Sequence, residues 1–307
     1  MGRRKKGEKI NGWINLDKPI GLTSTQAMAK VRKALNAQKA GHAGTLDPLA
    51  TGILPIALGE ATKTIPFAQD RLKTYEFTVT WGQQRDTDDS EGDVIATSDI
   101  RPSEEQIITL LPDFTGHIEQ TPPKFSAIKI DGERAYDLAR DGEEFEIKSR
   151  EVFIKDLRLL ESRTHEADFQ MTCGKGTYVR SLARDMAEKL GTKGYISALR
   201  RTKVGPFSQE NAISLEKLEE MGINAPEALL PLEAALDDIP ALPLQNEERA
   251  QLQNGQVLSF VAKPDFERIK KTGLEDDQIA LAVFQDQAIA LVERKGPNIK
   301  PVRVFNL

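Results

Sequence analysis

The chain has 307 residues, 39% hydrophobic and 29% charged, enough apolar mass to bury a sizeable core and unlike a disordered tail. A single cysteine, Cys173, excludes an internal disulfide and any multi-cysteine metal site, and His42, His117 and His165 are too scattered to form a spaced ligand set. No run approaches the roughly 18 apolar residues of a membrane span and no signal-peptide core opens the chain, so a soluble, cytoplasmic protein without a membrane partner is expected.

The net charge of −5 conceals two basic islands. Residues 1–74 hold 13 Lys/Arg against 5 Asp/Glu, residues 171–205 hold 8 against 2, and the remainder is strongly acidic. Such a distribution suits a polyanion on one face, although charge runs alone often mark no more than a solvated surface. Residues 1–10 open with RRKK and are expected to be a mobile basic tail.

Thr23 or Ser24 can cap a helix whose apolar residues Ala27, Met28, Val31 and Leu35 recur at three- and four-residue spacing. A glycine-rich loop, GHAGTLDPLATG at 41–52, follows and runs into the apolar stretch 53–58. Tyr75, Phe77, Val79 and Trp81 alternate with polar residues, the period of a half-buried strand. SEEQ at 103–106 is a capping box that opens another helix. Phe169, Met171 and Cys173 alternate as a strand broken at 174–176. A helix then starts near Thr177, with Val179, Leu182, Ala183, Met186 and Leu190 on one face and Gly191 as its stop. Strands and helices mix without βαβ regularity, so the class is α+β. The acidic, proline-bearing stretch at 237–243 reads as a linker, dividing the chain into 1–237 and a small β-rich module at 238–307.

Phosphate loops, dinucleotide fingerprints, nucleophile elbows and zinc-protease helices have no matching spacing here. Cys173 reads as a small buried hydrophobe rather than a thiolate nucleophile. Asp47 is different. Held between Leu46 and Pro48 in a glycine-flanked loop, it is either a turn-former or a group presented by a stiff backbone.

The 41–52 string resembles the catalytic signature of the TruB-type tRNA pseudouridine synthases. The likeness continues through LDKPIGLTS at 16–24, KTY at 73–75, QTPPKFSAIK at 120–129 with YDLAR at 136–140, CGKGTYVRSLA at 173–183, and LRR at 199–201 followed by GPF at 205–207. Arg85 stands where that family usually has Thr, and Gly174 where Ser is common; neither is expected to touch the chemistry.

The resemblance implies a pseudouridine-synthase-like α+β fold: a mixed, mostly antiparallel sheet flanked by helices, plus a small C-terminal PUA-like RNA-binding domain. It implies isomerisation of uridine-55 in the T arm of tRNA without cofactor or metal; a monomer is expected, although the sequence itself does not disclose the oligomeric state. Asp47 would be the nucleophile, attacking either the base or the sugar. Burial disfavours a charged carboxylate, and a neighbouring cation offsets this; by resemblance that cation is Arg180, making Asp47 and Arg180 the catalytic pair. Base flipping costs a few kcal/mol, and stacking on an aromatic ring returns about 1–3 kcal/mol. The resemblance gives that stacking role to Tyr75 and places Tyr178, Leu199 and His42 around the substrate as binding residues. A second reading, from the binding class, is an RNA-folding chaperone that grips the tRNA T arm without catalysis.

Overall fold

The strand Lys73–Trp81 lies inside a ten-stranded sheet, its Tyr75, Phe77, Val79 and Trp81 buried and the residues between them half-buried. The computed structural model describes residues 7–307 except 127, 131, 142 and 144. Eight of the sheet's strands run in the order Ile213–Ser214, Gly12–Lys18, Thr51–Leu58, Gly194–Val204, Lys73–Trp81, Glu166–Cys173, Arg150–Ser162, Gly116–Gln120, while Ala40–His42 pairs with Thr51–Leu58 and Phe207–Ser208 with Gly194–Val204 off this path. Two of these contacts are parallel, Gly12–Lys18 with Ile213–Ser214 and Thr51–Leu58 with Gly194–Val204, and the others are antiparallel. The class is therefore the expected mixed, mostly antiparallel α+β.

The predicted elements form for the expected reasons. Thr23, not Ser24, is the N-cap of the helix Ser24–Ala34, closing a capping box with Gln26. Ser103 and Gln106 do the same for Glu104–Leu110. Val179–Lys189 buries Val179, Leu182, Ala183, Met186 and Ala187 against the sheet and ends before Gly191, whose φ of +72° suits glycine. Its first residue lies two positions beyond the sequence expectation, because Tyr178 keeps an extended backbone and acts as the N-cap.

Two expectations need correction. Residues 7–10 do not belong to a free tail: Glu8 exchanges backbone hydrogen bonds with Asn36 and Gln38. Residues 1–6 lie outside the described part of the chain. The stretch 237–243 is not a bare linker either. Asp237 and Asp238 form ion pairs with Arg71, and Ala241–Pro243 is a strand parallel to Ile279–Phe284, with Leu242 fully buried. It joins a five-stranded C-terminal sheet with Leu258–Ser259, Ile279–Phe284, Gln287–Lys295 and Asn298–Val304. That sheet shares an apolar cluster with the main body, in which Leu281, Leu291 and Phe305 pack with Trp13, Ile53 and Phe207.

Candidate active site

Asp47 is pinned from both sides. The Leu46 amide donates to Ser24 Oγ (2.8 Å), which donates back to the Leu46 carbonyl (3.0 Å). The Pro48 carbonyl accepts from the Gly21 amide at 2.8 Å and from Lys18 Nζ at 3.4 Å. The loop is thus bolted to the start of one helix and to the end of the strand Gly12–Lys18. Such anchoring fixes a carboxylate without burying it: the Asp47 side chain keeps 33% exposure.

Arg180 supplies the facing cation. It is the second residue of Val179–Lys189, where the helix dipole disfavours positive charge, so a specific partner is required. Its Nε donates to Asp47 Oδ2 at 2.9 Å, and its two remaining nitrogens donate to the Thr87 carbonyl (2.9 Å) and the Phe125 carbonyl (3.0 Å). Asp89 Oδ2 lies 3.5 Å from the same Nε. The guanidinium side chain is 5% exposed, so every face that could drift is held. Asp89 itself is fixed by Thr87 Oγ1 and the Glu91 amide, and burial raises its pKa despite Arg180. Arg85 donates to the Gly92 carbonyl (2.8 Å) and lies over the Tyr195 ring, closing the base of this loop.

The other expected residues sit on neighbouring strands. Tyr75 opposes Arg201 on the neighbouring strand, and Arg201 in turn pairs with Gly52 at the end of the 41–52 loop. The Tyr75 phenol is raised in pKa chiefly by burial, with Asp47 and Arg201 among the charges it feels. Its ring belongs to one apolar cluster with Leu46, Leu49, Val179 and Leu199. Tyr178 caps the Arg180 helix, and Gln120 holds it by both main-chain groups, at 2.8 and 3.1 Å. The Arg150 guanidinium lies 5.3 Å from the Tyr178 ring centre. His42 ends the strand Ala40–His42, with Nδ1 buried and unpartnered. Burial and the nearby Arg201 charge lower its pKa, so it is neutral near pH 7, as a packing or binding residue should be. Cys173 is buried and its thiol is pushed up to about 11, which removes it as a nucleophile.

Three polar residues at the site stand outside the predicted catalytic and substrate-binding set. Lys18 is fully buried and donates to the Leu22 carbonyl at 2.7 Å; burial brings it down to about 8, with Asp47 opposing the shift. Arg201, 1% exposed, donates to Ile53 (2.7 Å) and Gly44 (3.1 Å) carbonyls, holding the loop that carries Asp47. Asp89 is the third. Lys18 and Arg201 lie in motifs quoted from the sequence and Asp89 in the acidic stretch 86–92, but nothing in such a string says which of its charges turns inward.

Among the described residues no group of three or more His, Cys, Asp or Glu is arranged to hold a metal ion, and no helix is long and apolar enough to cross a membrane. A broad groove lined by Asp113, Phe114, His117, Glu119, Asp185 and Lys189 contains none of the six predicted site residues.

A family model described as TruB family pseudouridylate synthase (N terminal domain) matches residues 32–179, and one described as tRNA pseudouridylate synthase B C-terminal domain matches 180–237. Over 310 aligned residues the chain is 52% identical to a tRNA pseudouridine synthase B of Caulobacter vibrioides, with 100% of both covered. The chain belongs to the TruB family of pseudouridylate synthases. A tRNA pseudouridine synthase B of Rhodospirillum rubrum is 49% identical, again over the whole of both chains. Among solved structures, a chain from the "Crystal Structure of a Cbf5-Nop10-Gar1 Complex" shares 26% identity with a TM-score of 0.72, covering 95% of this chain and 84% of that one. A chain from an H/ACA RNP bound to a substrate RNA superposes with a TM-score of 0.73 at 22% identity, a likeness of fold. The two TruB models meet between Val179 and Arg180, at the start of one helix, and the strands on either side of that point share one sheet.

Proposed function

We propose that this protein isomerises uridine to pseudouridine in tRNA, with uridine-55 of the T arm as its target. The observation that carries the reading is the 2.9 Å contact between a one-third-exposed carboxylate, Asp47, and an almost wholly buried guanidinium, Arg180. A carboxylate anchored through its main chain and gripped on one oxygen leaves the other oxygen available to form a transient covalent bond with the substrate. The base needs to be delivered to it, which requires flipping. Tyr75 offers the ring for stacking, Leu199 an apolar wall in the same cluster, Tyr178 a second ring at the helix cap, and His42 a neutral wedge at the loop entrance. RNA loops present splayed bases to such sites while phosphate contacts hold register. The C-terminal sheet, in this reading, is a PUA-like module that contributes to tRNA binding, with 1–237 as the catalytic domain and 238–307 as the RNA-binding one.

The test is direct. Purified protein should convert uridine-55 in unmodified tRNA, mapped by base-specific chemistry, and Asp47→Asn should bind tRNA with near-normal affinity while producing no pseudouridine. An Asp47→Asn protein that isomerises at the parental rate would sink the assignment. The chaperone reading predicts that variant to keep full biological effect.

A further inference from the structure

One turn beyond Arg180 on the same helix, Arg184 repeats its pattern. Residues four apart on a helix share a face. Arg180 reaches the Thr87 carbonyl and the Phe125 carbonyl; Arg184 reaches the Asp88 carboxylate at 3.0 Å and the Thr121 carbonyl at 2.8 Å. Both arginines therefore clasp the same two segments, 86–92 and 121–126, in two tiers.

Asp88 is an unusual residue on which to place the outer tier. Its φ is +59°, a region that Asp tolerates better than most residues but still at a cost. Its amide donates to the Arg85 carbonyl and its own carbonyl accepts from the Ile196 amide, both at 3.1 Å, so the backbone is fixed to the sheet. The residue is 5% exposed. A buried carboxylate in that position needs its cation, and losing one member leaves the other charge uncompensated. On either side of Asp88 in the chain stand Thr87, whose carbonyl holds Arg180, and Asp89, which shares the Arg180 Nε.

We propose that Asp88 and Arg184 are positioning residues for the isomerase, forming an outer lock that sets the 86–92 loop against Arg180 and so aims Asp47. This rests on the reading of Asp47 and Arg180 given above. The charges facing Asp88 are Arg184, Arg180 and Asp185 from the helix, with Asp89 beside it on its own loop. Burial lifts the Asp88 carboxyl to about 6 against the pull of both arginines. Above that pH the lock is charged; below it Arg184 faces a neutral acid.

The experiment compares wild type, Asp88→Asn and Arg184→Lys over a pH series, reading kcat and KM for tRNA. Wild-type kcat should fall as pH drops through about 6 while KM holds. Asp88→Asn should be slower by about tenfold or more even at higher pH, with KM within about threefold, because misplacement of a reacting group costs rate rather than binding. It should also lose the step near 6. Arg184→Lys, which keeps the charge without the two-pronged geometry, should fall on the same side. An Asp88→Asn enzyme with the parental kcat and the step intact would overturn the proposal, as would equal losses in rate and binding, which mark an RNA contact. Failure of the underlying reading looks different: wild type would then make no pseudouridine at any pH. The lock would still be judged by amide exchange at Asp88 and Ser90, expected to quicken in Asp88→Asn, and unchanged exchange would refute it.

Discussion

A glycine sets how closely the strand leaving the Asp47 loop approaches its neighbour. Gly52 has a φ of +99°, and a β-carbon there would lie 2.1 Å from the Arg201 carbonyl oxygen. That oxygen is backbone and cannot swing aside, so Gly52→Ala should lose about 3 kcal/mol or more in denaturant unfolding, strain and overpacking acting together. Gly21, at φ +83° with nothing within 4 Å of its virtual β-carbon, isolates the backbone cost. Gly21→Ala should lose only about 1–2 kcal/mol, and equal losses at the two sites would show that close approach is not what Gly52 provides. The same neighbourhood explains what the sequence could not reveal. Asp47 and Arg180 are 133 positions apart, and no spacing rule links them; they were legible only through motifs carried together. The charge count, by contrast, pointed outward, whereas Lys18, Lys73, Arg180 and Arg201 are all buried, capping carbonyls and holding loops. A tally of Lys and Arg does not register that inward turn.

Periodicity carried well at the level of elements, because alternation and three-to-four spacing are direct records of which face is buried. It gave the strands Lys73–Trp81 and Glu166–Cys173 and the helices Ser24–Ala34 and Val179–Lys189. Composition carried less well. Proline and acid at 237–243 suggested a linker, yet Leu242 buries itself and the backbone pairs as a short strand, since proline at a strand end loses no needed donor. In sequence the loop at 86–92 shows only four acids, Asp86, Asp88, Asp89 and Glu91, with nothing to tell which of them is buried. Its fold has a consequence for stability that runs against activity. The folded Asp88 carboxyl, at about 6, lies above its ordinary 3.8, so the native state binds this proton more readily than the unfolded chain. Its contribution to stability is then fully present below 3.8 and lost as pH rises through about 6. Between these values wild type should lose activity on acidification while Asp88→Asn, lacking the titration, gains less stability than wild type over the same interval. Parallel denaturant titrations of the two proteins measure this, and identical pH dependences would mean that Asp88 is ionised normally in the folded state.

Across the whole molecule, the two sheets are joined by apolar packing rather than by a tether. Trp13, with no exposed surface, packs against Phe207 at 5.2 Å between ring centres and shares its cluster with Leu281, Leu291 and Phe305 of the C-terminal sheet. Polar contacts follow the same seam: Lys63 Nζ donates to the Val304 carbonyl at 2.7 Å, and the Asn306 amide donates to Glu60 Oε2 at 2.8 Å. A shared buried cluster couples the unfolding of the parts that build it, because neither can open without exposing the other's apolar surface to water. Removing the Phe305 ring leaves a cavity in that seam and should lower stability by about 3–5 kcal/mol. The loss should be felt by both bodies at once. Fluorescence of the two tryptophans, Trp13 and Trp81, and far-ultraviolet circular dichroism should report a single coincident transition in wild type and, at lower denaturant, in Phe305→Ala. Two separated transitions in the wild-type protein would mean that the C-terminal sheet melts as an independent unit and that the seam contributes contact without cooperativity.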